Sequence, residues 1–530
     1  MAENNQKPEY VRPYNPKLVG LLIGLATIVV MLSVINSVLN IEGVVGPRAF
    51  GAGTTYYVDA VSGQDTNTGT SPNAAWKSIA KINSKTYTAG SKVLFKRGQQ
   101  WREELIIKSN GTSQSRITFG TYGTGANPVV NGSDVASNWL QHPQIPTVWY
   151  QEWEKKPQQV FFNGVRGTQE SRPENLSAPN EWYWQPYILA IYSAVDPNTA
   201  YTNPGIEVTQ RDHAIYVNGA DFITIDGIDA TKGNGDGNIL IHKGANDVTV
   251  RNLVSSFSSD NGILFTGKNI VIQNVRATNN GFATHGSLPG HGVYAGTSGS
   301  YASGNWLVEN SEFDSNASTG FHTYLTGGGV VRKNKSHNNG EWGMVITSIY
   351  SNSKVNVEYN LVYNNGGEGI EVSYLGSGDT VKVSNNVSYG NGGIGINLEN
   401  NNSVSTNAIQ VRNNISVEND GNDMYIGGVA TDYLIKNDLF YRSDGAVALR
   451  INSTTFTLPQ LQNYLSSSGN PDKHVATNPQ FVNGAGYNFH LQSTSSAKDK
   501  GIDVGLTSDI ENIPVPQGPA PDIGAHEFLQ

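Results

Sequence analysis

The 530-residue chain has no cysteine, only 4 methionines and few charges, with Asp, Glu, Lys and Arg making up 15% of it. The lack of cysteine excludes disulfide staples and thiolate metal sites, so burial and hydrogen bonding must hold the fold. Basic residues are the smaller charged set, 35 against 44 acidic, and the net charge of -9 argues against nucleic acid as a partner.

What is plentiful is glycine, 59 residues, set in a recurring phrase. Between Asp260 and Asn402 the chain reads NGILF, HGVYA, TGFHT, WGMVI, EGIEV and IGINL, around Gly262, Gly292, Gly320, Gly343, Gly369 and Gly395. Successive glycines are 30, 28, 23, 26 and 26 residues apart. A second apolar alternation after each phrase ends in asparagine, as at Asn310, Asn360, Asn386 and Asn414. A period of two inside each unit means strands, and the longer period means a solenoid whose units bury their apolar faces on their neighbours. Glycine and asparagine suit corners that require positive φ, and an asparagine at one corner of every coil can bond its amide to the next. A β-sandwich would show turns every 8–12 residues or so without fixed Gly and Asn columns.

These residues resemble the pectate-lyase-like right-handed parallel β-helix superfamily. The resemblance implies an all-β, right-handed parallel β-helix; right-handedness agrees with the preference of parallel crossovers. A solenoid grows in one dimension, so one long domain is allowed.

The chain divides as follows. Residues 1–17 form a polar tail with Lys7, Arg12 and Lys17, and residues 18–41 carry no charge. As a helix those 24 residues would span about 36 Å, enough for a hydrocarbon core of about 30 Å. The run is too long for the apolar core of a cleavable signal peptide and lacks a small-residue cleavage site, so an uncleaved transmembrane helix is expected. Positive charge before it puts the tail in the cytoplasm and the rest outside, at the surface of a bacterial cell. Residues 42–53 read as a linker and 54–132 as an N-terminal cap with the first coils, WKSIAKIN being a candidate capping helix. There Asp59, Asp65 and Asn67 read as turn formers rather than ion ligands. Residues 133–210, rich in Trp and Pro, form an insertion whose tryptophans either present a sugar-stacking surface or anchor an irregular loop. Repeats occupy 211–452, and 453–530 supply the last coils and a cap through NPQFV, NFHLQ, KDKGIDVG and PDIGAHEF. The NP-x-F and DIGA-x-E elements resemble the closing segment of bacterial β-helix proteins.

In each G-I-x-V strand the position x points outward. Reading x down the coils gives Leu264, Tyr294, His322, Val345, Glu371 and Asn397, followed two places on by Thr266, Gly296, Tyr324, Thr347, Ser373 and Glu399. His291, Trp342 and Glu368 precede the glycines, with Glu341 before Trp342. With coils about 4.8 Å apart, these groups converge on one patch. A plain solvated face would carry Thr, Ser, Asn and Lys, and glutamates before glycines can also serve as corner residues.

Three functions compete for that patch. A glycoside hydrolase needs two carboxyl groups, about 5 Å apart for retention or about 6.5–9.5 Å for inversion. Glu371 is the first candidate, with Glu368, Glu341 or Glu399 as partner, Tyr294 and His322 orienting the sugar, and His291, Tyr324, Trp342 and Asn397 binding it. A polysaccharide lyase or uronate epimerase would use Tyr294 and His322 as acid and base, yet no Lys or Arg falls on these columns to neutralise a uronate. Arg332, Lys333 and Lys335 lie on a later strand and corner. Gly290-His291-Gly292 matches one element of polygalacturonases, without their aspartate motifs. A non-catalytic adhesin or scaffold is the third reading. The aspartate clusters that hold calcium in many pectate lyases are missing, so neither a metal nor a cofactor is indicated. The partner expected is an extracellular polysaccharide.

Overall fold

The computed structural model describes residues 53–529 except 283–289, 299–300, 348–351, 377, 401–407 and 430–431. The expected anchor at 18–41 lies outside the described residues, among which no helix is long and apolar enough to cross a membrane.

The repeated phrases become short parallel strands stacked in register. Asn261–Phe265, Val293–Ala295, Phe321–Thr323, Met344–Thr347, Ile370–Ser373, Ile396–Asn400 and Met424–Gly428 form the centre of a front sheet. Leu105–Ile107, Ile215–Asn218 and Gly237–His242 extend it toward the N-terminus. The remaining strands of each coil make a second, long sheet that bends into two ribbons at an asparagine corner. Thus Lys354–Glu358 lies between Gly329–Arg332 and Thr380–Ser384, and Leu361–Tyr363 lies between Lys335–His337 and Val387–Tyr389. Alternation sets the core: Ile263, Val293, Phe321, Met344, Ile370 and Ile396 are fully buried inside, each contributing about 1.5–3 kcal/mol of apolar burial.

Two ladders of buried asparagines run through the corners. In one, the Nδ2 amides of Asn316, Asn339, Asn365 and Asn391 each donate to the Oδ1 of the next coil's asparagine at 2.9 Å, ending on Asn419. In the other, Asn334, Asn360, Asn386 and Asn414 do the same at 2.9–3.1 Å, ending on Asp438. Asn310 is not a rung, contrary to expectation. It takes the positive-φ position before the corner (φ 51°), and Ser311 N donates to Asn334 Oδ1. The glycine column also has a different cause from the one expected. A Cβ on Gly369 would lie 2.2 Å from Ser388 Oγ, 2.4 Å from Gly395 O and 2.9 Å from Asn391 Nδ2, so it is close approach of the next coil that demands glycine there.

At the N-terminal end, helix Ile79–Asn83 buries Ile79 and Ile82. Asp65 accepts from Lys77 N, Ser78 N and Ser78 Oγ, and Asp59 from Val61 N, Ser62 N, Gln99 and Lys96, so protein donors occupy both carboxylates. The 133–210 insertion forms two small sheets, with Trp139 and Trp182 buried between their strands and Trp149, Trp153 and Trp184 packed against them. Past the last coil comes helix Leu458–Ser468, which the fading repeat does not reveal. Its Thr457–Gln460 capping box starts it, and Leu461 and Leu465 enter the core. The terminal segments do more than cap. Phe481, Phe489, Leu491, Ile523 and Ala525 pack on Tyr359, Leu361, Tyr363, Val387, Ile415 and Leu439, so the chain returns along the side of the coils.

Candidate functional site

The front sheet aligns Leu264, Tyr294, His322, Val345, Glu371, Asn397 and Tyr425 in one outward column. At one end stand three aromatic groups. His322 Nδ1 lies 3.1 Å from His291 Nε2. The His291 and Tyr294 rings stack at 5.3 Å, and His322 meets both edge-on at 4.6 and 5.2 Å. Burial holds His322 down at about 4 and, with His322 beside it, keeps His291 well below the usual histidine range. Both imidazoles are therefore neutral at ordinary pH. Burial, Tyr324 and Asp260 push Tyr294 up to about 12, and burial with Asp236 pushes Asp260 up to about 7. His291 Nδ1 is buried with no partner among the described residues.

Two coils away, roughly 10 Å by strand spacing, is a carboxyl cluster. Asn397 Nδ2 donates to Glu368 Oε2 at 2.9 Å. Burial raises Glu368 to about 7; the Asn397 bond opposes this, and Glu371 and Glu399 add to it. Burial also raises Glu371, opposed by the Ser373 hydroxyl and reinforced by Glu399. Glu368 therefore holds its proton through the acidic range and loses it as pH passes about 7.

A groove of about 610 Å³ links the two ends, lined by His322, Tyr324, Trp342, Val345, Thr347, Glu371, Ser373 and Tyr374. Tyr324 and Tyr374 are 44% and 60% exposed, so their rings stand as walls. The expected residues thus meet in part. Glu341 stands apart: its carboxylate accepts a hydrogen bond from Ser318 Oγ, while the carboxylates acting on Glu368 are Glu371 and Glu399. Arg332 pairs with Glu309, Lys333 donates to Ser508 and Asn512, and Lys335 lines a different cavity.

Three residues of this face escape sequence reasoning. Tyr374 sits just past the strand at φ 51°, outside the alternation that defines the columns. Asp260 lies two positions before Gly262 and one before the phrase, outside the outward columns. Arg450 continues the column beyond Tyr425 and lies over its ring at 4.9 Å; following the column past the last clear repeat is the signal that finds it.

Comparison with known proteins bears on this architecture. The profile of the family described as "Right handed beta helix region" matches residues 213–377 and 286–440. The coils form a right-handed β-helix. A stretch of 97 residues is 37% identical to a lacto-N-biosidase of Bifidobacterium longum subsp. longum; it covers 17% of this chain and 6% of that relative's length. Among solved structures, XylC in complex with xylose superposes with a TM-score of 0.58 at 13% identity, covering 90% of this chain and 99% of the other. Pectate lyase Pel9A superposes at 0.53 and 14%, covering 91% and 98%. Likeness at that identity is one of fold, and it bears out the expected resemblance to pectate-lyase-like β-helices.

Proposed function

We propose that this is a carbohydrate-active enzyme, anchored at a bacterial cell surface by residues 18–41, that hydrolyses an extracellular polysaccharide of neutral or weakly charged sugars in the aromatic-walled groove. The observation that carries this reading is the half-buried Glu368 carboxyl, hydrogen-bonded to Asn397 and raised to about 7 beside Glu371, which lines the groove. A carboxyl still protonated near neutral pH can give its proton to the leaving oxygen, and a neighbouring carboxylate can attack the sugar or activate water. In this scheme Glu368 is the acid and Glu371 the nucleophile or base, with Glu399 tuning both. Tyr324, Trp342 and Tyr374 hold the sugar rings. Among the described residues the groove lining includes no Lys or Arg, which favours a neutral glycan over a polyuronate. The relative with the 97-residue match is named for a biosidase activity, in keeping with hydrolysis.

A second reading rests on the neutral His291–His322 pair beside Tyr294: His322 would abstract a proton and Tyr294 protonate the leaving oxygen, as in β-elimination. An assay on neutral glycans and polyuronates, with and without chelator, separates the two. Hydrolysis yields new reducing ends without the ultraviolet absorbance of unsaturated sugars, and is the expected result, insensitive to chelator. Glu371→Gln should lower the rate at least about 10²-fold. Unsaturated product would move the chemistry to Tyr294 and His322. Binding without product, unchanged in Glu371→Gln, would leave an adhesin.

A further inference from the structure

A second cavity, of about 670 Å³, lies on another face of the coils, where the returning C-terminal segment meets the second sheet. His490, Glu511 and His526 line it, and each offers a ligand atom within 4.8 Å of the other two. The three come from separate stretches: the strand Asn488–Leu491, a turn at Glu511, and the final residues. Each directly follows an apolar residue packed on the side of the coils, namely Phe489, Ile510 and Ala525. The core therefore fixes the spacing of the three side chains, the preorganisation that a ligand set requires.

An ordinary ion pair accounts for only part of this. His490 Nε2 lies 3.1 Å from Glu511 Oε2, and both side chains are nearly half exposed. That pairing leaves His526 unexplained. Its ring lies 4.1 Å from the His490 ring, it is 6% exposed, and its Nδ1 is buried with no partner among the described residues. A buried polar atom without a partner is costly. On His490 the Nδ1–H can donate to Asn488 Oδ1 at 2.7 Å, which turns the Nε2 lone pair inward and supplies the outer-shell bond that orients metal-bound imidazoles.

We propose that His490, Glu511 and His526 form a zinc site that ties the returning C-terminal segment together. Two imidazoles and one carboxylate suit Zn²⁺ and exclude the all-oxygen preference of calcium and magnesium. Three protein ligands leave a position open to the cavity. Lys335, also in the lining, opposes a dication by its charge and would draw an anionic ligand to that open position. Because the ligands are far apart in sequence, metal binding would add to the stability of the segment they span.

The test uses the full-length chain, stripped with EDTA and titrated with Co²⁺ as a spectroscopic stand-in, then with Zn²⁺ in competition. The expected result is one Co²⁺ per chain with visible d–d bands, displaced by Zn²⁺, and a melting temperature raised by Zn²⁺. His490→Gln and Glu511→Gln, both at half-exposed positions, should each weaken binding at least about 10-fold and abolish the zinc-dependent rise in Tm. The proposal is overturned if no stoichiometric Co²⁺ spectrum develops, or if binding and the rise in Tm persist in both variants. Neither outcome bears on the front groove, whose chemistry uses other residues.

Discussion

The asparagine ladders and the front-sheet column run through the same coils and are built on opposite rules. Down a ladder the same side chain recurs, and each amide meets the next at 2.9–3.1 Å. Down the column, Tyr294, His322, Val345, Glu371 and Asn397 all differ, and buried polar atoms nearby lack hydrogen-bond partners among the described residues, including His291 Nδ1 and Asn397 Oδ1. A solenoid repeats an interaction where it needs only cohesion. Where repetition stops and buried polar groups are left unsatisfied, local consistency has been given up for something else, as functional sites do.

The strongest way to break that comparison is to interrupt a ladder. Asn365 Oδ1 accepts from Asn339 N and Nδ2, while its own Nδ2 donates to Asn391 Oδ1 and Ser336 O. Asn365→Leu would orphan buried donors and acceptors on both neighbouring coils, each costing about 1–3 kcal/mol. A loss of roughly 3–5 kcal/mol is expected, measured by denaturant unfolding. If Asn365→Leu unfolds like the parent, the ladder is ornament and the contrast fails.

Next comes the carboxyl cluster, where the effect should fall on rate rather than stability. Glu368 is raised to about 7 in the fold, so its protonated form is favoured there. Its contribution to stability is present at low pH and declines as pH rises from the ordinary carboxyl range through about 7. As general acid it should give a rate that falls over the same upper limit. Glu368→Gln should cost about 10²-fold or more in kcat, remove that alkaline limb, and leave stability at pH 8 equal or slightly improved because a half-buried charge is gone. A pH–rate profile and melts at two pH values check it. An unchanged alkaline limb in Glu368→Gln would take the proton donor elsewhere, with Tyr294 next in line.

How much of this contrast is legible in the sequence depends on periodicity. The coil interior and the outward column follow from a strict alternation around glycine, and so counting residues is enough to align Tyr294, His322, Glu371 and Asn397. What escapes is whatever leaves that period. Asn310 reads as a rung because it ends an apolar run, but the positive-φ corner takes one residue and the rung is the next. Glu341 precedes a strand, where side-chain direction is not set by alternation, and it turns to Ser318. Tyr374 lies just past a strand end, and helix Leu458–Ser468 lies beyond the last repeat. The return of residues 481–525 along the coils depends on contacts far apart in sequence that no local pattern encodes.

The smallest effect expected is also the most selective. Tyr374 is 60% exposed, just past the end of strand Ile370–Ser373, and its ring walls the groove rather than filling the core. An exposed ring is dispensable for folding, so Tyr374→Ala should change stability by no more than about 0.5 kcal/mol. A ring that stacks on a sugar should contribute about 1 kcal/mol to binding, which is about fivefold in KM. If the stacking is equal in ground and transition states, KM rises and kcat stays. Tyr374→Phe keeps the face and loses only the hydroxyl, so it should restore the parent KM. A KM restored by Phe places Tyr374 on the functional side of the contrast. A KM unmoved by Ala would make it a surface residue like any other and shorten the groove to Tyr324 and Trp342.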